Sequence, residues 1–237
     1  MATLAAIYET QGKTAEAGEI YAELLRANPD LPIVHYLAAW FTYHQDQLDN
    51  AVREMEQAIK LAPAFSLAWS GLGYLRDLQG DLAAAKAAHK QALEIMPSNV
   101  NALLGLGALA LQEGSPTDAL TYFQEALQQQ PEYIKAVPDE TGSILVSAHL
   151  NLALAYERLG RAQDAGRELA AMRQLAEAAV ASLPSHPQAR FQLAVACWLA
   201  GETDKAETAY TEAARCNASL AGERTRMEKR IEKLRGR

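Results

Sequence analysis

Two cysteines, Cys197 and Cys216, are all that this 237-residue chain contains. That number excludes a disulfide framework as the basis of the fold, and a reducing, cytoplasmic setting is expected. No apolar run approaches the ~20 residues needed to span a bilayer. The stretch Met1–Ala5 lacks a basic region and is soon followed by Glu9, so no signal peptide is expected. β-Branched residues are sparse, which disfavours sheet; alanine, leucine, glutamate and glutamine crowd the chain and favour helix almost throughout. The signatures of catalysis are missing too. There is no Gly-x-Ser-x-Gly elbow and no phosphate-binding loop. His35, His44, His89, His149 and His186 form no i,i+4 pair and stand at no zinc spacing with the cysteines. No enzyme activity, cofactor or metal is expected.

What is present is apolar enough to fold, at 49% hydrophobic residues, and the net charge is -7. Residues 222–237 carry seven Lys/Arg against three Glu, a local +4 that leaves -11 for the rest. An acidic body argues against wrapping a phosphate backbone, so no nucleic-acid partner is expected. The basic tail reads as a solvated helix face, with contact to an acidic partner as the alternative.

The strongest signal is periodic. Pro29, Pro63, Pro97 and Pro131 are each 34 residues apart. With proline at position 32, position 15 is Gly12, Asp46, Gly80 and Gly114, and position 20 is Ala17, Ala51, Ala85 and Ala119. Position 24 is Tyr21, Met55, His89 and Phe123. Small residues at position 8 (Ala5, Ala39, Gly73, Gly107) and position 20 let two antiparallel helices approach closely, while the larger residue at 24 fills the space beside them. Position 15 ends the first helix, because glycine accepts the left-handed conformation of a C-terminal cap. Ser115-Pro116-Thr117-Asp118 reads as the start of a second helix. Proline at 32 stops that helix. Gly71-Leu72-Gly73 and Gly105-Leu106-Gly107 lack the third glycine and preceding strand of a dinucleotide fingerprint. They recur on the same 34-residue beat and read as packing positions.

These residues resemble the tetratricopeptide repeat family, whose 34-residue pattern is best kept by Trp69, Leu72-Gly73, Gly80, Ala85, Ala92 and Pro97. Arg76 and His89 depart from it, standing where the pattern has tyrosine and a large apolar residue. After Pro131 the register slips by about 12 residues. A fifth unit follows in His149, Leu152-Ala153, Tyr156, Gly160, Ala165 and Leu169, and a sixth in Leu193-Ala194, Gly201, Ala206, Tyr210 and Ala213. The resemblance implies an all-α, right-handed α-solenoid, read here as a single domain. Its six helix-turn-helix units cover about 1–31, 32–65, 66–99, 100–131, 146–183 and 187–218. Residues 132–143 form an insert, a loop or a helix extension broken by Pro138. Residues 219–237 form an amphipathic helix, with Leu220, Met227, Ile231 and Leu234 on one face, that caps the last unit. Met1 falls at position 4 of the first unit, so either that first helix is short or the chain is a piece of a longer protein.

In the family, ligands lie in the concave groove along first-helix positions 2, 5, 9, 12 and 13. Here the resemblance implies a groove lined by Ile33, Tyr36, Trp40, Tyr43 and His44, then Leu67, Ser70, Tyr74, Asp77 and Leu78, then Asn101, Leu104, Ala108, Leu111 and Gln112. The fifth and sixth units add Ser147, Leu150, Leu154, Glu157 and Arg158, and Gln188, Phe191, Val195, Trp198 and Leu199. Such an apolar, aromatic surface suits an amphipathic helix or extended apolar peptide. The bland alternative is that Tyr36, Trp40 and Tyr74 only pack against neighbouring repeats or the insert, which itself would then reach into the groove. The family's carboxylate clamp for chaperone tails is not matched: its lysine, asparagine and arginine places hold Tyr36, Trp40, Gly71, Asn101 and Gly105 in units two to four. The chain is thus expected to be a non-catalytic protein-interaction scaffold. The other expectations are a regulatory or targeting segment of a larger enzyme, such as a transferase, and a module that self-associates through its uncapped N-terminal repeat.

Overall fold

The computed structural model describes the chain except residues 137–140, 185, 218–219 and 237, and describes no side chains at 10, 130–136, 141–143 and 221. Among the described residues there are thirteen helices and no strand, the all-α helical-repeat class expected. They form two compact units, Met1–Leu106 and Gly107–Arg237. The first holds α1 (Ala2–Thr10), α2 (Thr14–Ala27), α3 (Pro32–His44), α4 (Leu48–Leu61), α5 (Ser66–Leu78) and α6 (Leu82–Ile95). Helix α7 (Val100–Gln112) begins in the first unit and ends in the second. The second continues with α8 (Pro116–Ala136), α9 (Thr141–Arg158), α10 (Ala162–Ser182), α11 (Pro187–Leu199), α12 (Thr203–Cys216) and α13 (Leu220–Arg235). Helices pair as α1 with α2, α3 with α4, α5 with α6, α9 with α10 and α11 with α12.

Each pair turns the same way for the same reason. Gly12, Asp46, Gly80, Gly114, Gly160 and Gly201 all have positive φ, between 58° and 83°. The next residue then donates its N–H back to position 11: Lys13 to Tyr8, Gln47 to Thr42, Asp81 to Arg76, Ser115 to Ala110, Arg161 to Tyr156 and Glu202 to Cys197, at 2.8–3.0 Å. This is the six-to-one bond of a Schellman cap. It satisfies carbonyls that the helix end leaves without partners.

Packing between neighbouring helices depends on the small residues read from the repeat. A Cβ at Gly73 would meet the His89 ring at 2.6 Å, one at Gly105 would meet it at 2.2 Å, and one at Gly107 would meet Phe123 at 2.2 Å. Ala5, Ala39, Ala17, Ala51, Ala85 and Ala119 are fully buried. The first unit's core is Ala39, Tyr43, Ala51, Val52, Met55, Ala58, Ile59, Ala68, Leu72, Leu75 and Ala88.

Proline at position 32 stops three second helices: α2, α4 and α6 end at Ala27, Leu61 and Ile95, short of Pro29, Pro63 and Pro97. At Pro131 the expected stop fails, and α8 runs on to Ala136. The residues after Pro131 are Glu-Tyr-Ile-Lys-Ala, which offer no capping or turn residue, whereas Pro97 is followed by Ser-Asn. A proline penalty of about 3 kcal/mol is outweighed where the following sequence prefers helix. The break expected at Pro138, and the proposed reach of the 132–143 insert into the groove, lie outside the described residues.

Candidate functional site

The first helices of the second and third repeats, α3 and α5, carry the aromatic residues that the register singled out. Trp40 stands 6.1 Å from Tyr36, 5.8 Å from Tyr43 and 6.0 Å from Tyr74, ring centre to ring centre. The Tyr43 and Tyr74 hydroxyls are hydrogen-bonded at 2.9 Å. Positions 5, 9 and 12 of α3 lie 3–4 residues apart and so share one helix face. Position 9 of α5 meets them because a 34-residue step repeats the same face on the next first helix. Phe65 joins the group 5.2 Å from Tyr36. Sequence reading missed it because position 34 is a turn position; its only signal was an aromatic residue one step before a first helix.

This cluster is both packed and open. Tyr36, Trp40 and Tyr74 are half-buried and rest on the core of the first unit, and Tyr43 is buried within it. At its two ends Ile33 and Leu78 are each 43% exposed. His44 is exposed, with Nδ1 3.4 Å from Glu9, which also accepts the Tyr21 hydroxyl at 2.7 Å. Burial, and then the Glu9 carboxylate, push the Tyr21 phenol well above its ordinary range. Asp77, one turn beyond Tyr74 on α5, and Asn101 on α7 are half-buried.

Nine of the expected groove residues are instead inside: Tyr43, Ser70, Leu104, Ala108, Leu111, Leu150, Leu154, Phe191 and Val195. Ser70 is buried and its hydroxyl donates to the Leu67 carbonyl at 3.0 Å, within a polar knot in which Asn99 Nδ2 donates to Ser66 Oγ at 2.8 Å. Leu104 is buried in the first unit and Leu111 in the second. In the second unit, Glu157 and Arg158, at positions 12 and 13 of the fifth repeat, are engaged by α13: Arg235 holds Glu157 through Nε at 2.8 Å and Nη2 at 3.0 Å, and Arg158 donates to the Leu234 carbonyl at 3.1 Å.

A further repeated contact escaped the sequence reading. The side chain at position 4 hydrogen-bonds the proline carbonyl six residues earlier: His35 Nε2 with Pro29 at 2.9 Å, Trp69 Nε1 to Pro63 at 2.8 Å and Arg190 Nε to Pro184 at 2.6 Å. Three different side chains share only an N–H at the right reach, so no residue identity recurs to reveal it. His35 and His149, both at position 4, also pair with Glu54 and Glu168 at 2.7 Å. Among the described residues no group of three or more His, Cys, Asp and Glu is placed to hold a metal ion, and no helix is long and apolar enough to cross a membrane. Cys197 is buried, and burial pushes its thiol up.

Family comparison agrees with this geometry. Models described as tetratricopeptide repeat match residues 1–31, 43–95, 78–136 and 169–221, together well over half of the chain. Comparison with curated proteins finds no match. Among solved structures the chain is similar to the MamA protein, at 18% identity over 76% of this chain and 91% of that one, with a TM-score of 0.54. It is also similar to PilW, a widely conserved type IV pilus biogenesis factor, at 20% identity over 78% and 77%, with a TM-score of 0.47. At such identity the MamA likeness speaks to fold alone. Six Schellman turns, one at position 15 of each repeat, the small-residue helix contacts and the family matches make this chain a member of the tetratricopeptide repeat family, an all-α scaffold for protein–protein interaction.

Proposed function

We propose that the aromatic face of α3 and α5 is the seat of a partner's peptide or amphipathic helix, and that the chain works by binding and not by catalysis. The observation that carries the reading is the half-buried cluster of Tyr36, Trp40 and Tyr74, continuous with exposed Ile33 and Leu78. Rigid aromatic side chains already held by a core lose little entropy on binding and offer large contact area, which is why they dominate binding hot spots. His44 and Asp77 at the rim supply polar contacts to a partner backbone, with Asn101 of α7. The double variant Trp40→Ala, Tyr74→Ala is expected to lose at least tenfold in partner capture at unchanged helicity, since each truncated hot-spot aromatic costs about 2 kcal/mol or more. Wild type and variant are compared as baits, with circular dichroism as the folding control. Equal capture by both baits refutes the reading.

A second reading has its own observation. Leu4 and Ile7 on α1 are 44% and 45% exposed. An apolar helix face of that kind suits stacking on α1 of another copy. Light scattering that reports a strict monomer at high concentration counts against it.

A further inference from the structure

The geometry points to α13 as a built-in ligand: it occupies a helix-binding seat on the second unit, and an external amphipathic helix of the same chemistry displaces it. This rests on the reading above that first-helix faces of this chain receive helices. A helix that merely continued the repeat array would meet the helices of the repeat just before it, as α11 meets α9 and α10, because each repeat contacts only its neighbours. Helix α13 does more. It packs on α12 and also on α9, the first helix of the repeat before that one. Its start is fixed by Arg224, which pairs with Glu207 at 2.6 Å and lies 4.8 Å over the Tyr210 ring, both on α12. Its end is fixed on α9 by the two-pronged Arg235–Glu157 pair and by Arg158 at the Leu234 carbonyl.

The positions it engages are ligand positions. Glu157 and Arg158 stand at positions 12 and 13 of their repeat. At position 9 of α9, Leu154 is buried to 1% exposure, while Trp40 and Tyr74 at the same position in the first unit are half-open. Ile231 and Leu234 of α13 are themselves 1% and 2% exposed. The seat therefore reads an apolar pair three residues apart followed by an arginine that meets Glu157, features any partner helix can carry. The hold is narrow: between Arg224 and Leu234, only Ile231 is buried, and the intervening side chains are half-buried or exposed. Elements secured by so few contacts open below the threshold for global unfolding.

The test uses the full chain and a fluorescent synthetic peptide of residues 220–235, titrated by anisotropy. Ile231→Asp with Arg235→Glu dislodges α13 in cis. The dislodged chain is expected to bind the peptide at least about tenfold more tightly than wild type, whose seat is filled for all but a small fraction of the time. Adding Glu157→Arg to it should abolish binding of the native peptide and restore binding of a peptide with Arg235→Glu. Equal affinity for wild type and dislodged chain, or no binding to a dislodged chain of native helicity, overturns the proposal. If the variant does not fold, hydrogen exchange on wild type decides. Amides of α13 that exchange well before those of α9–α12 support it, and amides that exchange only with global unfolding overturn it. Neither experiment touches Trp40 or Tyr74, so a failure here is distinct from a failure of the first-unit face.

Discussion

Asp46 occupies a turn position where Gly12, Gly80, Gly114, Gly160 and Gly201 hold the same left-handed backbone, and its φ is 58°. A side chain in that region costs about 1–2 kcal/mol, less for aspartate than for most residues. Asp46→Gly removes that strain and adds some flexibility to the unfolded chain, so a net gain of about 0.5–1 kcal/mol is expected. The urea midpoint should rise with an unchanged slope. A lower midpoint would mean that an Asp46 side-chain contact outweighs the strain. At the same scale, Gly73 and Gly107 of the two Gly-Leu-Gly steps lie against the position-24 residues that the repeat pattern set beside them. His89 lies against Gly73 and Gly105, and Phe123 against Gly107. The repeat told which positions must be small and which larger residue sits beside them; only packing showed that His89 also lies against Gly105 of the next repeat.

At the scale of helices, the position-4 hydrogen bond ties the start of a first helix to the turn before it. In Trp69 the indole N–H reaches the Pro63 carbonyl at 2.8 Å. Trp69→Phe keeps an aromatic ring and deletes that donor, for an expected loss of about 1 kcal/mol. Thermal or urea unfolding of the variant measures it, and a loss indistinguishable from zero would show that water replaces the bond at no cost. Helix ends were legible where a residue type enforces them: glycine or aspartate at position 15, and proline at 32 in three repeats. They were illegible at Pro131, where the preference of the following five residues prevails and α8 continues to Ala136. The C-terminal helix was legible as an amphipathic element, but its docking on α9 was not, since a contact across 78 residues leaves no local pattern.

For the molecule as a whole, acid stability follows from how distant helices are tied. Glu202, at the start of α12, accepts from Arg173 of α10 at 2.6 Å and from Lys205 at 2.7 Å. Those hydrogen bonds, Arg173 first, pull its carboxyl from the ordinary 4.5 down to about 2. A lowered folded value means that the stabilisation is complete above about pH 4.5 and is lost as the pH falls towards 2. Wild type should therefore exceed Glu202→Gln in urea midpoint at pH 7, and the gap should close between pH 4.5 and 2. A gap that stays constant through that range would sink the assignment. The sequence by itself determined the helical class, the 34-residue repeat and the turn chemistry, because small residues, glycines and prolines act on their own backbone and nearest helix. Tertiary structure decided which ring touches which, which expected groove positions are open, and that α13 rests on α9. Those outcomes depend on how side chains of different repeats meet, which the 34-residue spacing alone does not decide.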